Sequence, residues 1–306
     1  MTLHGSGFPV DDPLVTLADV PSRVVFASRT RLVIIIPPGL DGGSMPVRIV
    51  GAAGETAYIT IGGVWATGLH QVDNPVFDQH GNLFVTYSGS RGQQAPVSIF
   101  RVTPQGTREA FASGIVNATS LAFGPDGLLY VSSRFEGAVY RVQPDGSHEQ
   151  VASDLGVACG IAFDADGWMY VGDRSGTIFR VRDGRAAAFA TLPASIAAFH
   201  LAIAPTGEVY VTGPTLGSYD HIYRISRQGE VTTISTSFGR PQGLTFSPDG
   251  RLHVVDALAG ASALYRFADL AAPPDVVVSA GALIGAAFGP SGELAVASND
   301  TAYRFE

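Results

Sequence analysis

Two side chains of this sequence, Cys159 and His200, have the chemistry of a nucleophile and its base. A thiolate is the reactive form of cysteine, and a neighbouring imidazole can produce it by removing the thiol proton. The alternative interpretation is structural. Cys159 would then be a small packing residue, and His200 would fill a space that glycine leaves open at the matching positions Gly160 and Gly243.

A second group of candidates combines carboxylates with arginines in short, glycine-rich segments. Side chains of both signs can bind a polar ligand through charge-assisted hydrogen bonds. The same residue types also solvate ordinary loops and form Asx turns, in which a side-chain oxygen accepts from a nearby backbone N–H. Both interpretations stay open for this group: Arg134 and Glu136, Asp173 and Arg174, Asp220 and His221, Asp256, and Asn299 and Asp300.

These candidates occupy related positions in a pattern that recurs about every 40 to 46 residues. Each copy has an apolar strand, a glycine turn and a strand of apolar and aromatic residues; the turn glycines are Gly81, Gly127, Gly167, Gly207, Gly250 and Gly292. An aromatic–arginine pair recurs in step: Phe100-Arg101, Tyr140-Arg141, Phe179-Arg180, Tyr223-Arg224, Tyr265-Arg266 and Tyr303-Arg304. Six copies with no helical periodicity predict an all-β, six-bladed β-propeller over residues 63–306.

The two ends of the predicted blades differ in their connections. The hairpin turns are short, whereas the connections after the second strand are longer and variable, so we expect the binding residues on the latter end. Segment 64–69 resembles a fourth blade strand, while the final repeat stops after a third strand at Arg304. We therefore predict that segment 64–69 joins the last blade and closes the ring.

Residues 1–62 lack the repeat and read as short alternating strands. They resemble an IPT/TIG domain, a small immunoglobulin-like β-sandwich, in these segments: Gly5-Ser6-Gly7-Phe8, Ala27-Ser28-Arg29-Thr30-Arg31-Leu32, Pro37-Pro38-Gly39-Leu40, Gly42-Gly43, Pro46-Val47-Arg48 and Gly54-Glu55. That family normally has a strand before the Gly-Ser-Gly-Phe element, so we expect a sandwich that lacks its first strand.

The repeats themselves resemble the blades of the regucalcin/gluconolactonase family and the related NHL-repeat propellers. The copies that carry the resemblance are Leu121-Ala122-Phe123-Gly124-Pro125-Asp126-Gly127-Leu128-Leu129-Tyr130-Val131 and Gly243-Leu244-Thr245-Phe246-Ser247-Pro248-Asp249-Gly250-Arg251-Leu252. The resemblance implies a divalent cation, most often calcium, held by a Glu, an Asn and an Asp at the top of the channel. The matching positions here are Asp73, Cys159 and Gln242.

The full inner ring predicted from the alignment of the blades is mixed in chemistry: Asp73, Thr119, Cys159, Phe199, Gln242 and Ile284. Two functions remain open. The first is a propeller that binds a small molecule or a protein partner on its loop face, with these ring residues, His200 and the loop side chains forming the pocket. The second is a metal-dependent hydrolase of a lactone or small ester, with Asp73 as the surviving metal ligand or as a general base.

The charge and the hydropathy of the sequence limit the kinds of partner that the protein can have. The formal net charge of −8 and the complete lack of lysine argue against nucleic acid, whose binding needs clustered positive charge. The longest apolar run is too short to cross a membrane. A single cysteine excludes an internal disulfide and favours a reducing compartment. We expect a cytoplasmic protein, or a periplasmic or secreted one if a leader precedes Met1.

Overall fold

The computed structural model describes residues 1–52, 56–258 and 262–305, and at 235–237 only the backbone. The chain divides into two compact units, Met1–Val64 with Arg304–Glu306, and Trp65–Tyr303. Every regular element in the described ranges is a strand, and no helix there could span a membrane.

The N-terminal unit is one six-stranded sheet in the order β1-β4-β3-β2-β5-β6. Its strands are β1 (Thr2–His4), β2 (Val15–Leu17), β3 (Val20–Ala27), β4 (Arg31–Ile35), β5 (Gly43–Ile49) and β6 (Ala57–Ile61). The sheet buries one apolar cluster built on Val15, Leu17, Leu32, Ile34 and Val47.

One expectation about this unit is wrong. A strand does precede the Gly-Ser-Gly-Phe element, because β1 pairs antiparallel with β4 from Thr2 opposite Val33 to His4 opposite Arg31. Those three residues are enough to pair with the strand that would otherwise be an edge. The sandwich architecture of the IPT/TIG family stays a prediction, and its Gly54-Glu55 segment lies outside the described residues.

The propeller consists of six four-stranded antiparallel sheets, which confirms the all-β propeller fold predicted from the repeats. Blades 1 to 3 contain β8 (Val76–Phe77), β9 (Leu83–Thr86), β10 (Ile99–Val102) and β11 (Arg108–Ala112); β12 (Ala118–Phe123), β13 (Leu129–Ser133), β14 (Ala138–Val142) and β15 (His148–Ala152); and β16 (Ala158–Phe163), β17 (Met169–Asp173), β18 (Thr177–Arg182) and β19 (Arg185–Thr191). In each blade the first strand lies innermost in the sheet order and leads into the next by a hairpin.

Blades 4 to 6 repeat the arrangement, with one substitution in the last. They contain β20 (His200–Ile203), β21 (Val209–Thr212), β22 (Asp220–Ile225) and β23 (Val231–Phe238); β24 (Pro241–Phe246), β25 (Leu252–Asp256), β26 (Ala263–Arg266) and β27 (Asp275–Ser279); and β28 (Leu283–Phe288), β29 (Leu294–Ser298), β30 (Ala302–Phe305) and β7 (Gly63–Ala66). Blade 6 has the order β28-β29-β30-β7, so a strand from the start of the propeller sequence forms its outer edge.

Apolar side chains of successive blades pack face to face and form the core. One cluster joins Tyr170 and Ile178 of blade 3 to Phe199, Val211 and Ile225 of blade 4. The other clusters of the propeller likewise combine residues from two neighbouring blades. Burial of this kind is the main stabilising term in a fold without a disulfide, so the scaffold beneath the loops is rigid.

The hairpin turns define one end of this scaffold. All six turn glycines have φ between +75° and +89°, a conformation that strains residues with a Cβ atom. The loops that follow the second strands, together with the segments that enter each blade, lie at the opposite end. We call these two ends the hairpin face and the loop face.

Candidate functional site

The most unusual contact of the loop face joins Asp73 and His200. His200 Nδ1 lies 2.6 Å from Asp73 Oδ1, and the two side chains are only 1% and 4% exposed. Asp73 enters blade 1 and His200 begins β20 of blade 4, so the contact spans the channel between opposite blades. His200 Nε2 is buried and has no hydrogen-bond partner among the described residues.

The residue next to Asp73 extends this link to two more blades. The side-chain nitrogen of Asn74 donates to Leu244 O at 2.8 Å, and its side-chain oxygen accepts from Ala286 N at 3.0 Å. Gly243 provides room for it, since a Cβ there would collide with Asn74 Oδ1 and lie 2.8 Å from a neighbouring backbone atom. The segment that enters blade 1 therefore reaches blades 4, 5 and 6.

This segment crosses the central channel near the loop face. A cavity of about 360 Å³ runs through the channel and is lined by the inner strands of all six blades. Its lining begins with Asn74 and Ser120 and continues with Ile161, Leu201 and Leu244. Asp73 and His200 directly precede the lining residues Asn74 and Leu201, so their contact crosses the channel at the loop-face end of the cavity.

Cys159 lies in a setting that suppresses its reactivity. It is fully buried, and desolvation raises the pKa of its thiol to about 12. Its Sγ donates to Val157 O at 3.2 Å, as the hydroxyl of Thr119 donates to Asn117 O at 2.8 Å in the preceding blade. The thiol thus replaces a hydroxyl in a repeated hydrogen bond, which supports the packing interpretation over the nucleophile.

The other ring residues have mainly structural contacts. Phe199 is buried between blades 3 and 4, and its carbonyl accepts from Gly160 N at 2.8 Å. The carbonyl of Gln242, a buried residue, accepts from the hydroxyl of Thr212. Ile284 is half-buried. These three side chains do not complete a ring of oxygen ligands.

The residues around Asp73 therefore do not fit calcium, which takes six to eight oxygen ligands in proteins. Asp73 Oδ1 already accepts from Asn74 N at 2.7 Å and contacts His200. Within residues 1–52, 56–258 and 262–305, no group of three or more His, Cys, Asp or Glu side chains could hold a metal ion. The metal predicted from the resemblance stays a prediction.

The loop carboxylates serve the loops that carry them. Asp173 accepts from Val157 N at 2.8 Å, and Asp256 accepts from Gly239 N and Arg240 N at 3.0 and 2.7 Å. Asp220 accepts from both the backbone and the hydroxyl of Thr215. Each carboxylate is buried and fixes the segment that enters or leaves a blade.

The loop arginines have no such partners. Arg134 and Arg174 follow the second strands of blades 2 and 3, and Arg91 lies in the corresponding loop of blade 1. In the described part of the chain, none of the three has an acidic side chain within 4.0 Å. Glu136, close to Arg134 in sequence, instead accepts from Tyr140 at 3.1 Å.

Arg134 is the most constrained of these side chains. It is half-buried, and burial followed by the charges of Arg91 and Arg174 lowers the pKa of its guanidinium. Its charge also lowers the pKa of His70, after the larger effect of burial on that group. Arg91 and Arg174, on the loops of two other blades, therefore repel Arg134 electrostatically. Arg134 is the partly desolvated cation of the three.

Two residues of this site were not among the sequence candidates. Arg91 was missed because the loop of blade 1 has no counterpart of similar length. Asn117 was missed because its role is tertiary: it donates to Ser88 O and Ser90 O and accepts from Gly92 N at 2.7 Å. It thereby anchors the loop that carries Arg91.

The comparisons with known proteins concern the propeller. Residues 160–181 match the family model "Strictosidine synthase-like, N-terminal". Among curated proteins, none matches this chain. The structure is similar to that of a candidate gluconolactonase, with a TM-score of 0.64, 16% identity, and coverage of 79% of this chain and 90% of that one.

Two further similar structures have different roles. One is a catalytically inactive His-to-Ala variant of virginiamycin B lyase from Staphylococcus aureus with quinupristin (TM-score 0.58, 13% identity, 99% of this chain and 98% of that one). The other comes from a nidogen/laminin complex (TM-score 0.55, 20% identity, 65% of this chain and 81% of that one). At these identities the likeness establishes the β-propeller fold alone, because one fold can serve unrelated functions.

Proposed function

We propose that this protein binds a small molecule with an anionic group on the loop face of its propeller. The observation that carries the proposal is Arg134, a half-buried guanidinium without an acidic partner, with Arg91 and Arg174 beside it. A partly desolvated cation is costly unless it is paired, and a bound carboxylate or phosphate would supply the pair.

The surrounding structure supports a preformed site. Asn117 fixes the loop of Arg91, and Arg174 Nε donates to Ser195 O at 3.2 Å, which orients its guanidinium. The Asp73–His200 contact crosses the channel below. A ligand would therefore meet the oriented guanidinium of Arg174 together with Arg134 and the anchored loop of Arg91, which limits the ordering energy lost on binding.

Calorimetric titration tests this proposal. We would titrate wild type with succinate, benzoate and phenyl phosphate, and use the uncharged benzamide as the matched ligand. We expect at least one anion to bind and Arg134→Gln to weaken it about 10- to 100-fold, the range of one charged hydrogen bond. Arg101→Gln is the control, because Arg101 is paired with Glu109 at 2.6 Å on the same propeller. Equal affinities for wild type and Arg134→Gln would contradict the proposal.

A second candidate function is acid–base catalysis by His200. It is favoured by one observation: a buried carboxylate holds Nδ1 while Nε2 remains without a partner, as in a histidine poised to transfer protons. The inactive His-to-Ala form of the similar lyase lends this candidate support. Because Nε2 is buried, the segment entering blade 1 would have to move before a substrate could reach it.

The test of the second candidate is turnover of 4-nitrophenyl butyrate and of a lactone, dihydrocoumarin, by wild type and His200→Gln. Turnover that His200→Gln abolishes, while circular dichroism shows an intact fold, would establish it. Turnover that survives the substitution, or none in wild type with either probe, would count against it.

The hypothesis of a metal-dependent hydrolase can be tested by thermal unfolding of chelator-treated protein in the presence of calcium, magnesium, manganese or zinc. A ligand that binds only the folded state must stabilise it. We expect no saturable rise in Tm. A rise that Asp73→Asn removes would restore the metal site at this position.

For the N-terminal unit, we propose an IPT/TIG-like recognition module that adds a protein-binding surface. Its support is the motif set in residues 1–48 and the buried apolar cluster of its sheet. β3 pairs with β2 through Val20–Ser22 and with β4 through Arg23–Ala27, so one continuous sheet can fold into two packed layers at β3. An experimental structure of this unit would test the assignment. We expect β1 and β4 to face β5 and β6 across the apolar cluster, and a sheet whose two halves do not face each other would contradict it.

A further inference from the structure

The loop face exposes large apolar side chains as well as cations. Five of them belong to loops or blade-entering segments of blades 2, 4 and 5: Phe135, Ile196, Leu216, Tyr219 and Leu258, which are 53%, 39%, 92%, 65% and 42% exposed. Exposed apolar residues are ordinary when they are scattered, but a group on one functional face indicates a contact surface.

The loops that carry these side chains are built rather than loose. Asp220 accepts from Thr215 N at 2.9 Å, and Thr215 Oγ1 in turn accepts from Gly217 N at 3.0 Å, which fixes the turn around Leu216. Leu258 N donates to Asp256 Oδ1 at 3.2 Å. Specific hydrogen bonds therefore fix the backbone of the loops that expose Leu216 and Leu258.

The apolar group is joined to the arginines by direct contacts. Arg174 Nε donates to Ser195 O, and Ser195 Oγ donates to Pro214 O at 3.0 Å. Ile196 N donates to the same carbonyl at 2.8 Å. The loop that bears Leu216 thus lies beside the segment held by Arg174.

Phe135 provides the second junction. It directly follows Arg134, and its ring lies against Gly92, where an added Cβ would be 2.9 Å from the ring. Gly92 is the neighbour of Arg91 in sequence. The exposed aromatic ring of Phe135 therefore joins the loop that bears Arg134 to the loop that bears Arg91.

We propose that the ligand of this face is an amphipathic carboxylate, whose acid group pairs with Arg134 and its neighbours and whose apolar part lies over Phe135, Ile196 and the blade 4 loop. The proposal rests on the proposed function and deepens it. Charge complementarity selects the anionic end, and the contacts through Ser195 and Pro214 place the apolar surface next to it. Three arginines and five separated apolar residues suit one small amphiphile.

A chain-length series tests this inference. The probes are butyrate, hexanoate, octanoate and decanoate, with octylamine and 1-octanol as matched ligands that lack the anionic group. About two- to fourfold tighter binding per methylene is expected, since a fully buried methylene is worth about 0.8 kcal/mol and this surface is open. Octylamine and 1-octanol should bind at least tenfold more weakly than octanoate.

Two variants assign the effect to the face. The double substitution Leu216→Ser and Tyr219→Ser should flatten the dependence on chain length, with the largest loss of affinity for decanoate and the smallest for butyrate. Val276→Ser is the matched control, because Val276 is 56% exposed on β27, an outer strand away from the loops. It should leave the whole series unaltered.

The outcomes separate the inference from the proposed function. Binding of anions such as succinate with no gain from butyrate to decanoate would overturn the amphipathic ligand and keep the anion site. No binding of any carboxylate would overturn both. Decanoate binding that is equal in Arg134→Gln and wild type, or affinity for anionic phospholipid vesicles without affinity for free octanoate, would also overturn the inference.

Discussion

The hairpin face and the loop face of the propeller use arginine in opposite ways. Towards the hairpin face, arginines of the repeated aromatic–arginine pair meet carboxylates on adjacent strands, as Arg101 meets Glu109 and Arg141 meets Glu149. Arg180 instead stacks on Trp168, with its guanidinium carbon 4.3 Å from the ring centroid. On the loop face, Arg134 has neither kind of partner in the described residues.

The carboxylates differ less between the two faces. Near the hairpins some pair with arginine, as Glu149 does, while others such as Asp164 accept from backbone N–H groups of the turn. On the loop face Asp173 and Asp256 likewise accept from backbone N–H groups and fix the geometry of their loops. The proximity of Asp173 to Arg174 in sequence therefore does not neutralise that arginine. Under the proposed function, the loop-face arginines pair instead with a ligand.

The largest expected effect is a difference in stability between a substitution near the loop face, Asp73→Ala, and one towards the hairpin face, Glu109→Ala. Asp73→Ala leaves His200 Nδ1 and Asn74 N without their partner, and a buried polar group left unsatisfied costs about 1–3 kcal/mol. Glu109→Ala removes the exposed partner of Arg101 and should cost no more than about 1 kcal/mol. Thermal unfolding followed by circular dichroism measures both. Equal shifts in Tm would mean that the Asp73–His200 contact contributes no more than an ordinary surface pair.

The second prediction concerns Arg134 and has opposite signs for binding and stability. Arg134→Gln should weaken anion binding while raising Tm slightly, because it removes a partly desolvated charge repelled by Arg91 and Arg174. Arg101→Gln should lower Tm slightly and leave anion binding unchanged. Calorimetry and thermal unfolding of the two variants provide the readouts. A lower Tm for Arg134→Gln would show that its guanidinium is satisfied within the fold.

The third prediction uses the pH dependence of Cys159. Burial raises the pKa of the thiol from 9.0 to about 12, so the folded protein holds its proton where an unfolded chain loses it. At pH 7 to 8, iodoacetamide should therefore modify native protein about a thousandfold more slowly than urea-unfolded protein, since the thiolate is the nucleophile. Mass spectrometry follows the adduct. Rapid native labelling that rises with pH from 7 to 9 would revive Cys159 as a reactive group.

The smallest effect is expected for Cys159→Ser. The serine hydroxyl can donate to Val157 O as Thr119 donates to Asn117 O, so stability should change by less than about 1 kcal/mol. Cys159→Ala loses this donor and should be the less stable variant. Both should bind anions like wild type. A loss of binding in Cys159→Ser alone would place the thiol in the ligand site.

The fold could be predicted from the sequence because each blade repeats the same pattern of strand and turn residues. Turn glycines such as Gly127 and Gly250 mark hairpins independently of the rest of the chain, and six copies reinforce one another. The strand before Gly5 could not be inferred, because Thr2–His4 is short and its identity as a strand depends on pairing with β4.

Most members of the candidate site were predicted from the sequence, Arg91 and Asn117 excepted, but their contacts were not. Asp73 and His200 were both placed near the channel, yet their pairing depends on how opposite blades face each other, which no local pattern encodes. The loop carboxylates and arginines were grouped by proximity in sequence. Their separation into backbone acceptors and unpaired cations follows from backbone direction at each loop, as Asp173 and Arg174 show within two adjacent residues.

The order β28-β29-β30-β7 in blade 6 has a consequence for biosynthesis. The outer strand Gly63–Ala66 leaves the ribosome roughly 240 residues before its partner Ala302–Phe305. At about 5–20 residues per second, it waits roughly 10 to 50 s with one edge of its backbone unpaired. Blades 1 to 5 can form in sequence during that interval, but the two ends of the ring stay unjoined until β30 is synthesised. The nascent protein is therefore most exposed to mispairing with another copy just before completion, and the same junction is where mechanical or thermal opening of the finished ring should begin.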